Sequence, residues 1–586
     1  MPKQPDSAVP GEPDRLARPG SSAHTAAAPS TTLLRPSPQP SPPPLSLLPP
    51  LLPPLLPAAL LALFAGSLNL FAFAPFGWWP LQLACTALLF ALVMQAASVR
   101  RAALFGWLYS FAWCAAGVHW LYVSLHDLGG MPSWLTVAAI ATLALGLGLL
   151  VGAATGGARW LQTRLQMSSA VTLLLPLPAL FMLAEWTRSW IFTGFPWLST
   201  GYAHTDAPLA GFAPLLGVYG IGWIAAMMAA ALVWLHGSLR PMIQRKAALQ
   251  AYLRPLLLPL LFIVAPLISG QLLRSVAWTH PQGNPITVRL LQGNIPQEMK
   301  FDQSSLGKTL GLYDAMIMAA PADLIATPET ALPVTRQQLP ADYLQRLADF
   351  AGRSNSHLLI GIPITDGPGV YTNSAVVIEP APKAAGGLPV PIASVPAVYR
   401  YDKHHLVPFG EFIPPGFRWF VDFMHMPLGD QTRGTLLQAP FAVRDQWVMP
   451  NICYEDLFGE EIAAQMRARF ALQLPVQTIL LNISNIAWFG NTIAVPQHLQ
   501  ISRMRSLETG RPMLRSTNTG ATAVIGPHGE IQAQLAPFVQ GTLAATVQGH
   551  AGLTPYVVVG NAAAISLVVL MLALAVALTR RRRRPT

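Results

Sequence analysis

Charge is scarce in this chain of 586 residues: Asp, Glu, Lys and Arg make up only 11%. Ordinary soluble domains carry about 25%. Between Arg35 and Arg100 there is no charged residue at all. Such stretches cannot face water, so a large soluble globule is excluded. A hydrophobic content of 52% and a mean hydropathy of +0.42 fit a chain that crosses a membrane several times. Cysteine is almost as rare. Three cysteines cannot make a disulfide framework. Cys85 and Cys114 lie in apolar runs and read as packing residues, which leaves Cys453 without an obvious partner. No metal-ligand spacing, P-loop or dinucleotide fingerprint occurs, so neither a metal nor a cofactor is expected. His404 and His405 are neighbours in a loop and should point apart, which argues against a metal pair.

The formal net charge of +11 invites a nucleic-acid reading, but its placement argues otherwise. Arg580 to Arg584 are consecutive and directly follow an apolar run, the pattern of a cytoplasmic membrane anchor. "HLQISRMRSLETGR" combines helical period with basic residues, and reads as a helix packed on a sheet.

Residues 1–56 form a Pro-rich tail, with 14 prolines in the first 50 positions and no apolar periodicity; disorder on the cytoplasmic side is expected. A span needs about 20 apolar residues. Residues 57–275 supply seven candidates, near 57–75, 78–97, 102–123, 133–155, 168–187, 209–236 and 255–273, and 555–579 supplies an eighth before the basic tail 580–586. Every even-numbered exit is basic: Arg100 and Arg101, then Arg159 and Arg164, then Arg240 to Arg254, then the arginine run. Both termini are therefore expected in the cytoplasm, and the insert 283–549 outside, in the periplasm of a Gram-negative cell.

The insert has a different texture. Strand-like runs at 286–291, 323–327, 357–362, 374–379, 397–402, 447–452, 478–484, 521–526 and 542–547 alternate with helix patterns near 304–320, 340–353, 457–472 and 496–509. This predicts a layered α/β domain with sheets buried by helices.

Cys453 falls between the strand "WVMPNI" and a helix pattern, where a helix N-terminus would favour a thiolate; Glu455 and Asp456, in a first helical turn, would oppose it. "IATPETALP" places Glu329 at a strand exit, and "YRYDKHHLVPFGEFIPP" places Lys403 after a strand and Glu411 at the end of the following loop. Alone, each charge reads as a solvated loop residue. Together, a carboxylate, an ammonium and a thiol suffice for nucleophilic acyl transfer: a base for the thiol proton, a nucleophile, and a cation for the oxyanion.

Glu, Lys and Cys in that order resemble the nitrilase superfamily. The phrases "FAFAPFGWWPL", "EWTRSWIFTGFPWLSTGYA", "LLQGNIPQEMKF", "TPETALP", "YDKHHLVPFGEFIP", "ICYEDLF" and "RSLETGRPMLRSTNTGATAVIGPHG" resemble its membrane-bound branch, the apolipoprotein N-acyltransferase family, over roughly 57–579. The resemblance implies an αββα sandwich carried on eight transmembrane helices in the bacterial inner membrane. It implies transfer of an acyl chain from a membrane phospholipid, through a cysteine thioester, to the α-amino group of the diacylglyceryl-cysteine of an apolipoprotein, the last step of lipoprotein maturation. It implies Glu329 as general base, Lys403 as oxyanion-stabilising cation, Cys453 as nucleophile, Glu411, Tyr454 and Glu455 in support, and Phe301, Asn485 and Trp488 at the substrate. No nucleic-acid partner is expected, and the protein is read as a monomer. Two positions depart from the family pattern: Phe301 stands where Trp is usual, and Ile486 where Asp is usual.

Three rival readings remain at this point. A tethered amidase or nitrile hydrolase would need only one span. A transporter with an accessory domain would need acids and bases within its spans, which are almost absent. A binding protein that kept the fold without catalysis would not need Glu329, Lys403 and Cys453. Glu185 and Arg188, at the end of the fifth candidate span, read either as a functional intramembrane pair or as a fastening for the loop that follows.

Overall fold

The computed structural model describes residues 55–245, 249–300, 302–380, 399–414, 416, 418 and 430–581. Phe301, the tail up to residue 54, and the basic end after Arg581 lie outside the described residues.

Helices occupy all eight apolar segments. Six stretches among the described residues are long and apolar enough to cross a membrane: Leu55–Ala72, Ser133–Leu165, Ser169–Arg188, Pro208–Leu239, Leu256–Leu273 and Ala562–Arg581. Trp79–Gln95 is apolar but shorter, and Val99–Gly117 begins with Arg100 and Arg101. Several expected spans are interrupted. The fifth breaks at Leu175, just before Pro176. The eighth breaks at Gly560 (φ +59), which separates Pro555–Val559 from Ala562–Arg581. Inside Ala213–Arg245, Gly217 (φ +65) kinks the helix, and the freed Val218 N–H donates to Glu508 Oε1 at 2.8 Å.

Small residues decide the tightest helix packing. Gly148, Gly152 and Gly156 recur every fourth residue and face Val99–Gly117. A methyl group on Gly156 would sit 2.9 Å from the Ala103 side chain, and one on Gly106 would sit 2.2 Å from Thr155 Oγ1. Close backbone approach of this kind replaces the hydrophobic drive that lipid cannot supply.

The rest of the chain folds as an αββα sandwich. Its strands are β1 (His280–Pro281), β2 (Ile286–Gln292), β3 (Leu324–Ala326), β4 (His357–Gly367), β5 (Val370–Ile378), β6 (Tyr399–Asp402), β7 (Phe441–Val443), β8 (Gln446–Ile452), β9 (Ile479–Ser484), β10 (Met513–Thr517), β11 (Ala523–Ile525), β12 (Ile531–Gln534), β13 (Gly541–Val547) and β14 (His550–Ala551). One six-stranded sheet runs β13-β2-β3-β4-β5-β6, the other β12-β11-β10-β9-β8-β7, and β1 pairs with β14. Side chains alternate faces along a strand, and the cores follow that rule. Leu324, Ala326 and Leu359 point between the sheets, while Ile325, Leu358 and Ile360 pack under the helices Gln303–Met318 and Tyr343–Ser354. All nine expected strands and all four expected helices of the insert are present. The strand β10 was not expected, because Arg515, Ser516 and Thr517 give it a polar texture; their polar groups are met inside the fold.

The helix Ala494–Thr509 joins the two halves. Val495 and Leu499 pack into the core of the second sheet, whereas Ile501, Met504 and Leu507 pack among the membrane helices. It therefore packs on its sheet, as its pattern suggested, and also on a second surface that the pattern did not reveal.

Candidate active site

The expected site residues converge where strands of both sheets end. Glu329 follows β3. The chain there passes so close over β4 that a methyl group on Gly361 would lie 2.2 Å from the Pro328 carbonyl, so only glycine fits. Lys403 follows β6, and its N–H donates to the Asn373 carbonyl at 2.9 Å, extending the β5–β6 pairing by one residue. Cys453 follows β8 as the first residue of a 3₁₀ turn, Cys453–Leu457. Its φ is +53, a left-handed conformation that costs a non-glycine residue about 1–3 kcal/mol.

Lys403 is fully buried. Its Nζ donates to Glu329 Oε1 at 3.1 Å and to Glu411 Oε1 at 2.7 Å. Asn373 Nδ2, from β5, donates to the same two oxygens at 2.7 and 3.0 Å. The other oxygen of Glu329 accepts the Asn485 N–H at 2.8 Å, and that of Glu411 accepts the Val407 N–H at 2.8 Å. A second buried lysine, Lys300, donates to the Glu329 carbonyl at 2.9 Å. Two carboxylates thus share one ammonium directly, with another close by.

The electrostatics follow from burial and these partners. Burial alone would lower Lys403, but Glu329 and Glu411 reverse this and hold it well above its ordinary value. Burial would raise Glu329, yet Lys403, Lys300 and Asn373 hold it below the usual carboxylate range. The half-buried Cys453 thiol is pushed well up, by burial first and then by Glu329 and Glu411, with Lys403 opposing. Burial brings Lys300 down to about 8. The expectation of a thiolate favoured by a helix N-terminus is therefore corrected. The helix starts only at Gly459, and burial with the neighbouring carboxylates favours the protonated form of the thiol.

Glu455 and Asp456 do lie in a first helical turn, that of the 3₁₀ segment, and their carboxylates turn to partners of their own. Glu455 accepts the N–H groups of Ile452, His404 and His405 at 2.6, 2.7 and 3.2 Å, and the Tyr401 hydroxyl. It ties the Lys403 loop to the Cys453 turn, and burial raises its carboxyl to about 7. Asp456 turns to the far side and pairs with Arg515 at 3.0 Å. The Tyr454 hydroxyl donates to the Gly194 carbonyl at 2.8 Å, reaching the membrane half. His404 and His405 do point apart, His404 to the Gly434 carbonyl and His405 between Glu461 and the Thr193 carbonyl.

Asn485 uses its side chain on Gln297 (2.8 Å) and Asn518 (3.0 Å), and its N–H on Glu329. Trp488 is 41% exposed, and its carbonyl accepts the Ser124 hydroxyl at 2.6 Å. Ile486 is fully buried in the apolar core of the second sheet, so its departure from the family pattern is absorbed by packing. Of the two aromatic loops, "FGWW" exposes Phe76 and Trp78, whereas Trp197 of "GFPW" is buried and stacks on His498. Glu185 accepts the Thr200 N–H at 2.9 Å and sits 3.7 Å from Arg188, which fastens the loop after its helix. Sequence reasoning passed over Lys300, Asn373 and His498; the one available signal was an Asn in the middle of a strand.

Comparison with known proteins identifies the family. The family model for the apolipoprotein N-acyltransferase N-terminal domain matches residues 65–231, and that for carbon-nitrogen hydrolase matches 287–556. Proteins named apolipoprotein N-acyltransferase are similar along nearly the whole chain. That of Ralstonia nicotianae is 48% identical, covering 90% of this chain and 94% of its own. That of Bordetella bronchiseptica is 40% identical, covering 90% and 98%. That of Nitrosomonas europaea is 41% identical, covering 88% and 96%. With a nitrilase-type sandwich, long apolar helices and relatives of this kind along its length, the chain belongs to the apolipoprotein N-acyltransferase family.

Proposed function

We propose that the protein moves an acyl chain from a membrane phospholipid to the N-terminal amino group of a diacylglyceryl-cysteine apolipoprotein in two steps, through a thioester on Cys453. The observation that carries this reading is the buried Lys403 shared between Glu329 and Glu411, both of which act on the Cys453 thiol. In the first step Glu329 takes the thiol proton as sulfur attacks the ester carbonyl. Lys403 and the Tyr454 N–H receive the negative oxygen, the C–O bond breaks, and the proton leaves with the lysophospholipid. In the second step the amine attacks the thioester, Glu329 takes the amine proton, and the C–S bond breaks to return the thiol. Burial and the two carboxylates disfavour a free thiolate while Lys403 and Lys300 favour an ionised Glu329, which fits proton transfer concerted with attack.

Glu411 and Asn373 hold Glu329 and Lys403 in register, and Asn485 holds Glu329 from the second sheet. Phe301 and the exposed Trp488 are assigned to the lipid side of the site. The helices are assigned to the bacterial inner membrane, with both termini in the cytoplasm, the sandwich in the periplasm and the chain working as a monomer. No cofactor and no nucleic acid take part. The basic exits of the even-numbered spans support that orientation.

Purified protein incubated in detergent with phospholipid and no acceptor tests the reading by intact mass. An acyl adduct removed by neutral hydroxylamine, with lysophospholipid released, is expected, and Cys453→Ser should show neither. Absence of the adduct on folded protein, with ammonia released from small amides, would replace the reading with that of an amidase.

A further inference from the structure

We propose that His498 is a positioning residue for the oxyanion: with Asn482 it holds the carbonyl of the Cys453–Tyr454 peptide and thereby aims the Tyr454 N–H at the substrate's carbonyl oxygen. The proposal rests on the reading of Cys453 as nucleophile and the Tyr454 N–H as a donor.

A trans peptide is planar, and its C=O and N–H point in opposite directions. Whatever fixes the Cys453 carbonyl therefore fixes the direction of the Tyr454 N–H. Two side chains from outside the turn reach that carbonyl, Asn482 Nδ2 and His498 Nε2, each at 3.3 Å. Such fastening matters here, because Cys453 sits in a strained left-handed conformation that must be held in place.

The protonation of the imidazole is determined by its neighbours. Arg515 Nη2 lies 3.2 Å from His498 Nδ1, and a guanidinium can only donate. Nδ1 must accept, so the single proton of the neutral ring is on Nε2, where the Cys453 carbonyl needs a donor. Burial, and then the charge of Arg515, hold His498 well below its ordinary value and keep the ring neutral. Arg515 is itself anchored by Asp456 Oδ2 at 3.0 Å and by the Ser502 hydroxyl. The face of the imidazole is covered by Trp197, 5.7 Å away and nearly parallel, whose indole N–H donates to Gln497 at 2.8 Å. Trp197 belongs to the loop that follows the helix Pro176–Arg188. A loop between the apolar helices thus braces the ring that braces the Cys453–Tyr454 peptide.

The test compares two reactions at the same sulfur in wild type, His498→Phe and His498→Gln. Acylation by phospholipid passes through an oxyanion, whereas alkylation by iodoacetamide displaces iodide at a saturated carbon and forms none. Cys453 is distinguished from Cys85 and Cys114 by peptide mass. The expected result for His498→Phe is acylation slowed about tenfold or more, with alkylation of Cys453 within about twofold of wild type. His498→Gln, which restores an N–H donor, should recover much of the acylation rate. Should His498→Phe fail to fold, Asn482→Asp removes the other donor without changing size and carries the same two readouts. Wild-type acylation in these variants, or an equal fall in both reactions, would overturn the proposal. Absence of any acyl adduct on wild-type protein would instead refute the reading on which it rests.

Discussion

Two clusters of buried charge flank Cys453, and they are balanced differently. In front, Glu329, Lys403, Glu411 and Lys300 share ammonium and carboxylate groups, and all three of the nearest act on the thiol. Behind, Asp456 and Arg515 face each other with no exposed surface, joined by Ser502 and His498. Bringing such charges out of water is costly in either place, and excellent geometry is needed to offset it. The rear cluster sets one carboxylate against one guanidinium. The front cluster has two carboxylates sharing one fully buried ammonium, and the charges of all three bear on the Cys453 thiol. The same kinds of residue form a balanced ion pair on one side and, in the proposed reaction, the acid–base and oxyanion groups on the other.

Breaking the rear pair gives the largest expected effect on the fold. Asp456→Asn leaves Arg515 buried without a counter-charge and should cost about 3–5 kcal/mol, read from thermal or denaturant unfolding in detergent. A variant as stable as wild type would mean that the pair is not what holds the turn. Breaking the front cluster should act on rate. Lys403→Met is expected to lower acylation of Cys453 by about 10²–10³, equivalent to about 2.7–4 kcal/mol, as for other oxyanion donors. Near-normal turnover would assign the oxyanion to other groups.

Lys300 sharpens the comparison through pH. Its value falls from 10.5 in the unfolded chain to about 8 in the fold, so the unfolded chain binds more protons between those limits. Stability should therefore rise with pH across that window, and Lys300→Met should remove that slope. In wild type, acylation should decline as pH passes about 8, because a charge that offsets the forming thiolate is lost. An unchanged limb in Lys300→Met would exclude the lysine from the reaction. The smallest effect is expected at Trp488, whose exposed ring supports little packing. Trp488→Ala should change stability by no more than about 0.5 kcal/mol while weakening saturation by phospholipid, measured as a raised KM.

Much of this was legible beforehand because it depends on period and composition. Short β-rich apolar runs marked β2, β4, β8 and β9, and charge-free runs marked the membrane helices. Glu329, Lys403 and Cys453 could be singled out because each is a chemically distinctive residue at the exit of a strand. What stayed hidden depends on neighbours far along the chain. Nothing local shows that Arg515 of β10 has Asp456 waiting 59 residues away, that Trp197 has His498 against it, 301 residues further on, or that Lys300 reaches the Glu329 carbonyl.

The chain by itself determined which segments avoid water, which form strands and which chemically distinctive side chains stand at strand exits, because hydrophobicity, strand propensity and functional-group chemistry are local properties. Only the tertiary structure decided that burial and two carboxylates bear on the Cys453 thiol, that Glu455 and Asp456 turn to different partners, and that Trp197 lies against His498. Those outcomes arise from burial and from charges brought together across hundreds of residues, and electrostatic energy depends on distance in space rather than on separation along the chain.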